Sequence, residues 1–350
     1  MKLEDLDFKI PRELIALYPK KPRDESRLVI TGANLRSIRF NELINELKPS
    51  DVLVLNNTKV IKAYIEGTLN EKKVSINLNK LEDKRKNIWS SFVKTKEKIK
   101  KKDKIVFFKS FYAIVESFNE HENQVTYNLK FNVSFLKLNK IMNIHGQMPI
   151  PPYIQKRGFF DSDNSDYQTI FAEKEGAVAA PTASLHFTNK LIESLKKKKV
   201  KIIKITLHVN GGTFLPIRSK NVLNHKMHFE EGFISHKSAA EINKTKIEGG
   251  RVIAVGTTVL RLLESSKNNK GFIKPFKGKT NVFIKPGYKI NSIDGLITNF
   301  HTPKSTLLLL IFALYGKKKT EQLYRFAINQ KLRFYSYGDA CLIWKNNGKI

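Results

Sequence analysis

The feature that most limits how this chain can fold is a switch in hydrophobic period near residue 66, reversed near 145. Before it, Phe40, Leu43, Ile44 and Leu47 recur at the spacing of one helical face, and Pro49 ends that helix. DVLVLNNTKVIKAYIEG (51–67) then reads as buried strand, polar turn and strand. From about 66 to 145 the repeat falls to two residues. VSINLNKL, NIWSSFVKT, KIVFFKS, YAIVESF and QVTYNLKF follow one another, separated by clusters of Lys, Asn, Asp and Glu, with no helical segment between them. Such a succession of short strands predicts a small β-barrel.

MPIPPYI (148–154) is stiffened by its prolines and reads as a return linker. Beyond it helix and strand alternate. Helices are expected at 189–198, 237–247, 258–266 and about 320–330, and strands at 200–209, 251–256, near 281–285, 295–299 and near 339–344. The apolar run Leu307–Tyr315 is about half the length a bilayer crossing needs. It reads as a buried helix, capped by Ser305 or Thr306 and closed by Gly316. Alternation of this kind predicts a sheet covered on both faces. The expected fold class is therefore α/β: a three-layer αβα domain (1–65 and 146–350) with an inserted small β-barrel domain (66–145).

Charge narrows the partners. With 63 Lys+Arg against 32 Asp+Glu the formal net charge is +31, which points to a polyanion, nucleic acid first. The lysine-rich runs 98–104 and 196–199 read as solvated faces. One cysteine, Cys341, cannot form an intramolecular disulfide, as suits a reducing compartment. MKLEDLDFKIPRELIALYP has acidic residues where a signal peptide would be basic, so neither export nor a membrane partner is expected, and the location expected is cytoplasmic.

In layered α/β folds the loops leaving the carboxyl ends of strands line the ligand crevice. Here those loops are polar and particular. NGGTFLPIR (210–218) offers Gly211 and Gly212 for close backbone approach and Thr213 for a hydroxyl. Gly256-Thr257-Thr258 opens a helix whose amides favour an anion or carboxylate. Asn299-Phe300-His301-Thr302-Pro303-Lys304-Ser305-Thr306 opens another. VAAPTASLHFT (178–188) holds no ionised side chain except what its histidine could carry. Each loop alone is ordinary capping; together they predict one pocket.

Other chemistries fit less well. GFIKPFKGKT ends like a phosphate-binding loop, but Ile273 stands where its first glycine belongs. No G-x-G-x-x-G follows an expected strand, no G-x-S-x-G elbow occurs, and Cys341 has no recognisable base partner. His225-Lys-Met-His228-Phe-Glu230 has zinc-compatible spacing, yet it is half a motif with no cysteine nearby, so no metal is expected. For proton transfer His186, on a pocket loop, and His208, at a strand end, are best placed. The plain alternative for either is a core histidine with satisfied nitrogens.

Taken in order, the blocks SRLVI (26–30), DVLVLNNTKVIKA (51–63), PIPPYI (149–154), YQTIFAEKEGAVAAPTASLHFT (167–188), HVNGGTF (208–214), HKMHFEE (225–231), RVIAVGTTVLRLLES (251–265), FIKPGY (283–288), DGLITNFHTPKSTLLLL (294–310) and RFYSYGDACLI (333–343) carry a resemblance. Nearly end to end, the chain resembles the S-adenosylmethionine:tRNA ribosyltransferase-isomerases of queuosine biosynthesis. Only the inserted segment matches weakly in its residues. This chain differs from the family's usual wording at Ser184, at Asn210-Gly211 and at Phe229.

The resemblance implies a transferase and isomerase of tRNA modification. Its co-substrate would be S-adenosylmethionine, with no cofactor required. The acceptor would be 7-aminomethyl-7-deazaguanine at the tRNA wobble position, and the products epoxyqueuosine, adenine and methionine. A monomer is expected. A sulfonium nucleoside then explains the neutral loop, since lysines would repel the cation. On that footing Thr182 and Phe187 suit the nucleoside, and His186 or His208 would be base or acid. Glu230 would hold ribose hydroxyls or an amine, with His228 beside it. Thr257 and Thr258 would hold the methionine carboxylate. Gly211, Gly212, Thr213, Asn299, His301 and Ser305 would complete the substrate site, while Arg333, Tyr335 and Asp339 would read the deazaguanine or nearby tRNA. Two rivals are a metal-dependent nucleic-acid hydrolase using His225, His228 and Glu230, and a tRNA-binding module with a vestigial pocket.

Overall fold

The computed structural model describes residues 1, 3–121, 124–214, 222, 225 and 227–345. Four strands, Lys201–His208, Val52–Asn56, Val252–Val255 and Gly295–Asn299, lie side by side and parallel, with Leu53 level with both Ile202 and Ile253. Apolar residues fill these strands because both faces are covered. Val52, Val54, Val252, Ala254 and Leu296 enter one core, beneath the helices His236–Ile247, Thr257–Ser266 and Thr306–Tyr315. Leu53, Leu55, Ile253, Val255 and Ile297 enter the other, with Phe187 and the helix Asn189–Lys197. The architecture is the expected αβα layering.

The sheet is extended at both edges. Glu230–Ile234 adds antiparallel to Lys201–His208, and Phe276–Thr280 adds antiparallel to Glu230–Ile234 at the edge. On the other side Ala340–Trp344 runs antiparallel to Gly295–Asn299, then Arg27–Ile30 pairs parallel with it and Arg36–Arg39 closes the edge. The strand expected near 281–285 lies instead at Phe276–Thr280. Its sequence, FKGKT, is polar and mostly exposed, so no apolar alternation marks it.

Six strands between Tyr64 and Phe131 close into a barrel around Ile65, Val74, Ile76, Leu78, Ile105, Ala113, Val115 and Leu129. A helix, Phe135–His145, follows within the segment expected to be strands alone. Ser134 caps it by accepting the Lys137 N–H, and Leu138 and Met142 enter the barrel core. Both passages between the domains are fastened together: Gln147 donates to the Tyr64 carbonyl at 2.8 Å and accepts the Tyr64 N–H at 3.1 Å. The proline-rich stretch after it is more than a linker, since Ile150 and Ile154 are fully buried.

At the start of the central strands Asp51 is buried and accepts from Lys48 N (2.7 Å), Arg251 Nε (3.0 Å) and an Arg251 terminal nitrogen (2.6 Å). Arg251 also lies over the Trp344 ring at 4.2 Å. One carboxylate thus ties two neighbouring strands at their amino ends. Replacing it leaves a half-buried guanidinium without its partner. Asp51→Ala is expected to lose about 3 kcal/mol in denaturant unfolding; a loss below about 0.5 kcal/mol would mean the tie is only a surface pair.

A candidate active site at the carboxyl ends of the central strands

A cavity of about 330 Å³ opens where Val252–Val255 and Gly295–Asn299 end. Its walls come from Pro151–Tyr153, Ala180–Ala183, Val209, Gly256–Thr258, Thr298–Thr302 with Leu307, and Tyr335–Ser336. Among these described residues none is Lys, Arg, Asp or Glu. The size lies in the range of small-ligand sites, roughly 300–1,000 Å³.

Gly256 stands at the N-cap of Thr257–Ser266 with φ of 96°, a conformation open to glycine and strained for other residues. It carries no capping side chain, and Gly256, Thr257 and Thr258 line the cleft at this helix start, the end of a helix where free amides favour an acceptor. Thr257 and Thr258 are buried, and the Thr258 hydroxyl has no hydrogen-bond partner. A buried donor left unpaired is costly, so this end of the cleft is chemically suited to an acceptor group.

The loop after Gly295–Asn299 brings Asn299 and His301. Thr182 donates to Asn299 Oδ1 at 3.0 Å. His301 Nε2 lies 2.8 Å from the Thr298 hydroxyl, and burial pushes its imidazole down to about 3. Tyr324 holds the loop by accepting the His301 N–H at 2.7 Å. Tyr335 lines the opposite wall with φ of 71°.

Several expected site residues stand behind this wall. His186 is buried, with Nδ1 2.7 Å from the Ser26 hydroxyl and Nε2 3.1 Å from Asn299 Nδ2. Burial first, then Arg23 and Arg333, hold it neutral with a pKa of about 3. Phe187 is fully buried, edge-on to Phe40 at 5.0 Å and to Phe171 at 5.8 Å. Its ring packs the core and presents no face to a ligand, contrary to the expectation that it suits the nucleoside. Ser305 caps Thr306–Tyr315 through the Leu308 N–H at 3.2 Å. Asp339 accepts the Arg27 and Arg333 N–H groups, each at 2.8 Å, while the Arg333 guanidinium donates to the Tyr18 carbonyl. Burial raises the Asp339 carboxyl above its usual range, against those two amides.

Among its described side chains, the 208–214 segment adds Val209 alone to the cleft. His208 lines a second cavity, about 590 Å³, between barrel and sheet. Its Nδ1 lies 2.8 Å from the Thr58 hydroxyl, and burial lowers its pKa against the pull of Glu231. Gly211 N donates to Asn79 Oδ1 of the barrel at 2.9 Å. A Cβ on Gly212 would lie 2.7 Å from the His228 ring, so these glycines serve protein packing. The Thr213 side chain lies outside the described residues. Glu230 is buried in an ion pair with Arg261 and accepts the Asn210 N–H at 3.2 Å, which leaves no carboxylate facing the cleft there.

Lining residues that the sequence did not single out include Thr298, Leu307, Ser336, Pro151, Pro152 and Tyr153, and the Tyr153 hydroxyl accepts the Ser336 N–H at 2.8 Å. For the last three a charge-free PIPPYI was the available signal. Because His186 and His301 titrate near 3 when folded and near 6.5 when unfolded, the unfolded chain binds the extra protons below pH 6.5. Stability is thus complete above that pH and falls as pH drops towards 3. Urea unfolding is expected to show each histidine costing about 1.4 kcal/mol per pH unit in that window, with a shallower slope in His186→Phe.

Comparison with known proteins shows the family. A family model described as queuosine biosynthesis protein matches residues 3–343. An S-adenosylmethionine:tRNA ribosyltransferase-isomerase of Zymomonas mobilis is 45% identical over 345 residues, covering 98% of this chain and 99% of its own. One from Parvibaculum lavamentivorans is 42% identical over 350 residues, with coverage of 98% and 99%. The crystal structure of S-adenosylmethionine tRNA ribosyltransferase from Thermotoga maritima matches with a TM-score of 0.54 at 30% identity, across 97% of this chain and 99% of that one. With an αβα sheet, an inserted six-stranded barrel and a neutral cleft at the strand ends, the chain belongs to the S-adenosylmethionine:tRNA ribosyltransferase-isomerase family of queuosine biosynthesis.

Proposed function

We propose that the 330 Å³ cleft holds S-adenosylmethionine and that the chain moves and isomerises its ribosyl part onto 7-aminomethyl-7-deazaguanine at the tRNA wobble position. The products are epoxyqueuosine, adenine and methionine. What carries this reading is the neutral wall beside an uncapped helix start. A lysine 4 Å from the sulfonium would cost about 4 kcal/mol at a surface-like dielectric, whereas amides and the unpartnered Thr258 hydroxyl suit a carboxylate.

The sulfonium acidifies the adjacent ribose carbon, so a base must take that proton and departing adenine must receive one. Neither histidine lines the cleft: both ring nitrogens of His186 are already engaged, while His208, half-buried and with its pKa lowered by burial, faces the adjoining cavity, so of the two only His208 is open to a ribose that reaches past Val209. The 590 Å³ groove beside it suits the tRNA side of the reaction. Lys59, Lys62, Lys80 and Lys279 border it for phosphates, and Phe229, about half exposed, offers a ring face for a base.

Purified protein incubated with S-adenosylmethionine and tRNA bearing the aminomethyl base is expected to release adenine while the tRNA gains the ribosyl-derived mass. Unchanged tRNA mass would refute the assignment. Thr258→Val keeps the shape and removes the hydroxyl, so it is expected to raise KM for S-adenosylmethionine about 10-fold with little change in unfolding midpoint.

A further inference from the structure

We propose that His186 is a positioning residue: acting through Asn299, it fixes the Thr182 hydroxyl as a hydrogen-bond acceptor for an O–H or N–H donor of the nucleoside in the cleft. This rests on the cleft being the S-adenosylmethionine site. Three bonds form the chain, Thr182 Oγ1 to Asn299 Oδ1 at 3.0 Å, Asn299 Nδ2 to His186 Nε2 at 3.1 Å, and His186 Nδ1 to Ser26 Oγ at 2.7 Å.

A proton inventory gives the chain its meaning. A threonine hydroxyl owns one proton, and here Asn299 Oδ1 takes it, so Thr182 turns only lone pairs to the cleft. Asn299 can offer its oxygen to Thr182 only while its amine has an acceptor elsewhere, and that acceptor is His186 Nε2. The imidazole accepts there only in the tautomer protonated at Nδ1, whose N–H the Ser26 oxygen receives.

Each anchor is fixed by something else. Ser26 donates its N–H to Arg23 at 3.2 Å and accepts the Phe40 N–H at 2.7 Å, so its hydroxyl sits on a pinned backbone. Phe40 also stacks on the His186 ring, with centroids 4.9 Å apart and planes 25° apart. The ring is 5% exposed and is absent from the cleft wall, while Asn299 and Thr182 line it. His186 therefore acts at one remove from the ligand.

Three substitutions at His186 separate positioning from packing. Gln reaches Asn299 in place of Nε2 and loses Ser26. Asn reaches Ser26 in place of Nδ1 and loses Asn299. Phe keeps the stack on Phe40 and loses both bonds. Calorimetric titration of the full chain with S-adenosylmethionine is expected to give His186→Gln a Kd within about 3-fold of wild type, and His186→Asn and His186→Phe a Kd about 10-fold weaker. Asn299→Ala is expected to cost a similar factor, and adding His186→Phe to it less than about 2-fold more, because the link is already cut.

If His186→Phe does not fold, the contrast between Gln and Asn still decides. Equal binding by those two variants, or independent penalties in the double variant, would overturn the positioning role while leaving the site intact. Wild-type protein that fails to bind S-adenosylmethionine would instead overturn the assignment of the cleft, and this inference with it.

Discussion

Exclusion of ionised side chains from the cleft is the constraint on which the rest of the site depends. A chain with a net charge of +31 has cations to spare, yet the described walls hold none. In a confined space an unpaired charge costs several kcal/mol, so every polar group there must be neutral and bonded. Asn299, Thr182, His186 and Ser26 satisfy one another, as do His301 and Thr298. Ionised groups near the site are tied elsewhere: Arg261 to Glu230, Arg23 to the Ser165 and Asp166 carbonyls, and Asp339 to two backbone amides. The Thr258 hydroxyl stands outside this pattern, which is why the proposed ligand's acceptor group is assigned to that end of the cleft.

Sheet geometry delivers these groups to one place. Parallel strands end at the same edge, so Gly256 and Asn299, each at or just beyond a strand end, meet without long connections. The antiparallel strand Ala340–Trp344 runs the other way, and the loop entering it carries Tyr335 and Ser336 to the same edge. The barrel adds a second wall further out. It leaves after Val60 and returns at Gln147, and the short parallel pairing of Thr58–Val60 with Lys174–Ala177 sets the floor of the larger cavity beside His208.

Much of this was legible in the residues. Continuous apolar runs such as VLVL and VIAV marked strands covered on both faces, and the two-residue repeat marked the barrel, because burial imposes those periods. Edge strands were not legible: FKGKT makes its bonds through backbone, and its side chains need obey no period. At the cleft, the charge-free loops were the useful signal, and 180–183, 256–258 and 299–302 do share it. Residue type said less about which side of the wall a side chain takes. Phe187 and Leu185 are both apolar neighbours of His186, and both are buried, so a ring that looked suited to the nucleoside is core. Glu230 looked equally available until its partner Arg261, 31 positions away, stood beside it.

On the proposed function, neutral inside and cationic outside also resolves a conflict between two substrates of opposite sign. A sulfonium nucleoside is repelled by the same lysines that attract tRNA phosphates. Field strength falls off over about 10 Å at moderate salt, so cations on the outer surface can raise the encounter rate with a polyanion without opposing a small cation already seated in a neutral recess. The boundary between the two regimes runs along the 208–214 segment: Val209 turns inward to the neutral cleft, while His208 and Asn210 turn outward to a groove bordered by lysines and by Glu175 and Glu231. Those two carboxylates temper the lysines of the groove, and Glu231 draws the His208 pKa upward against the burial that lowers it.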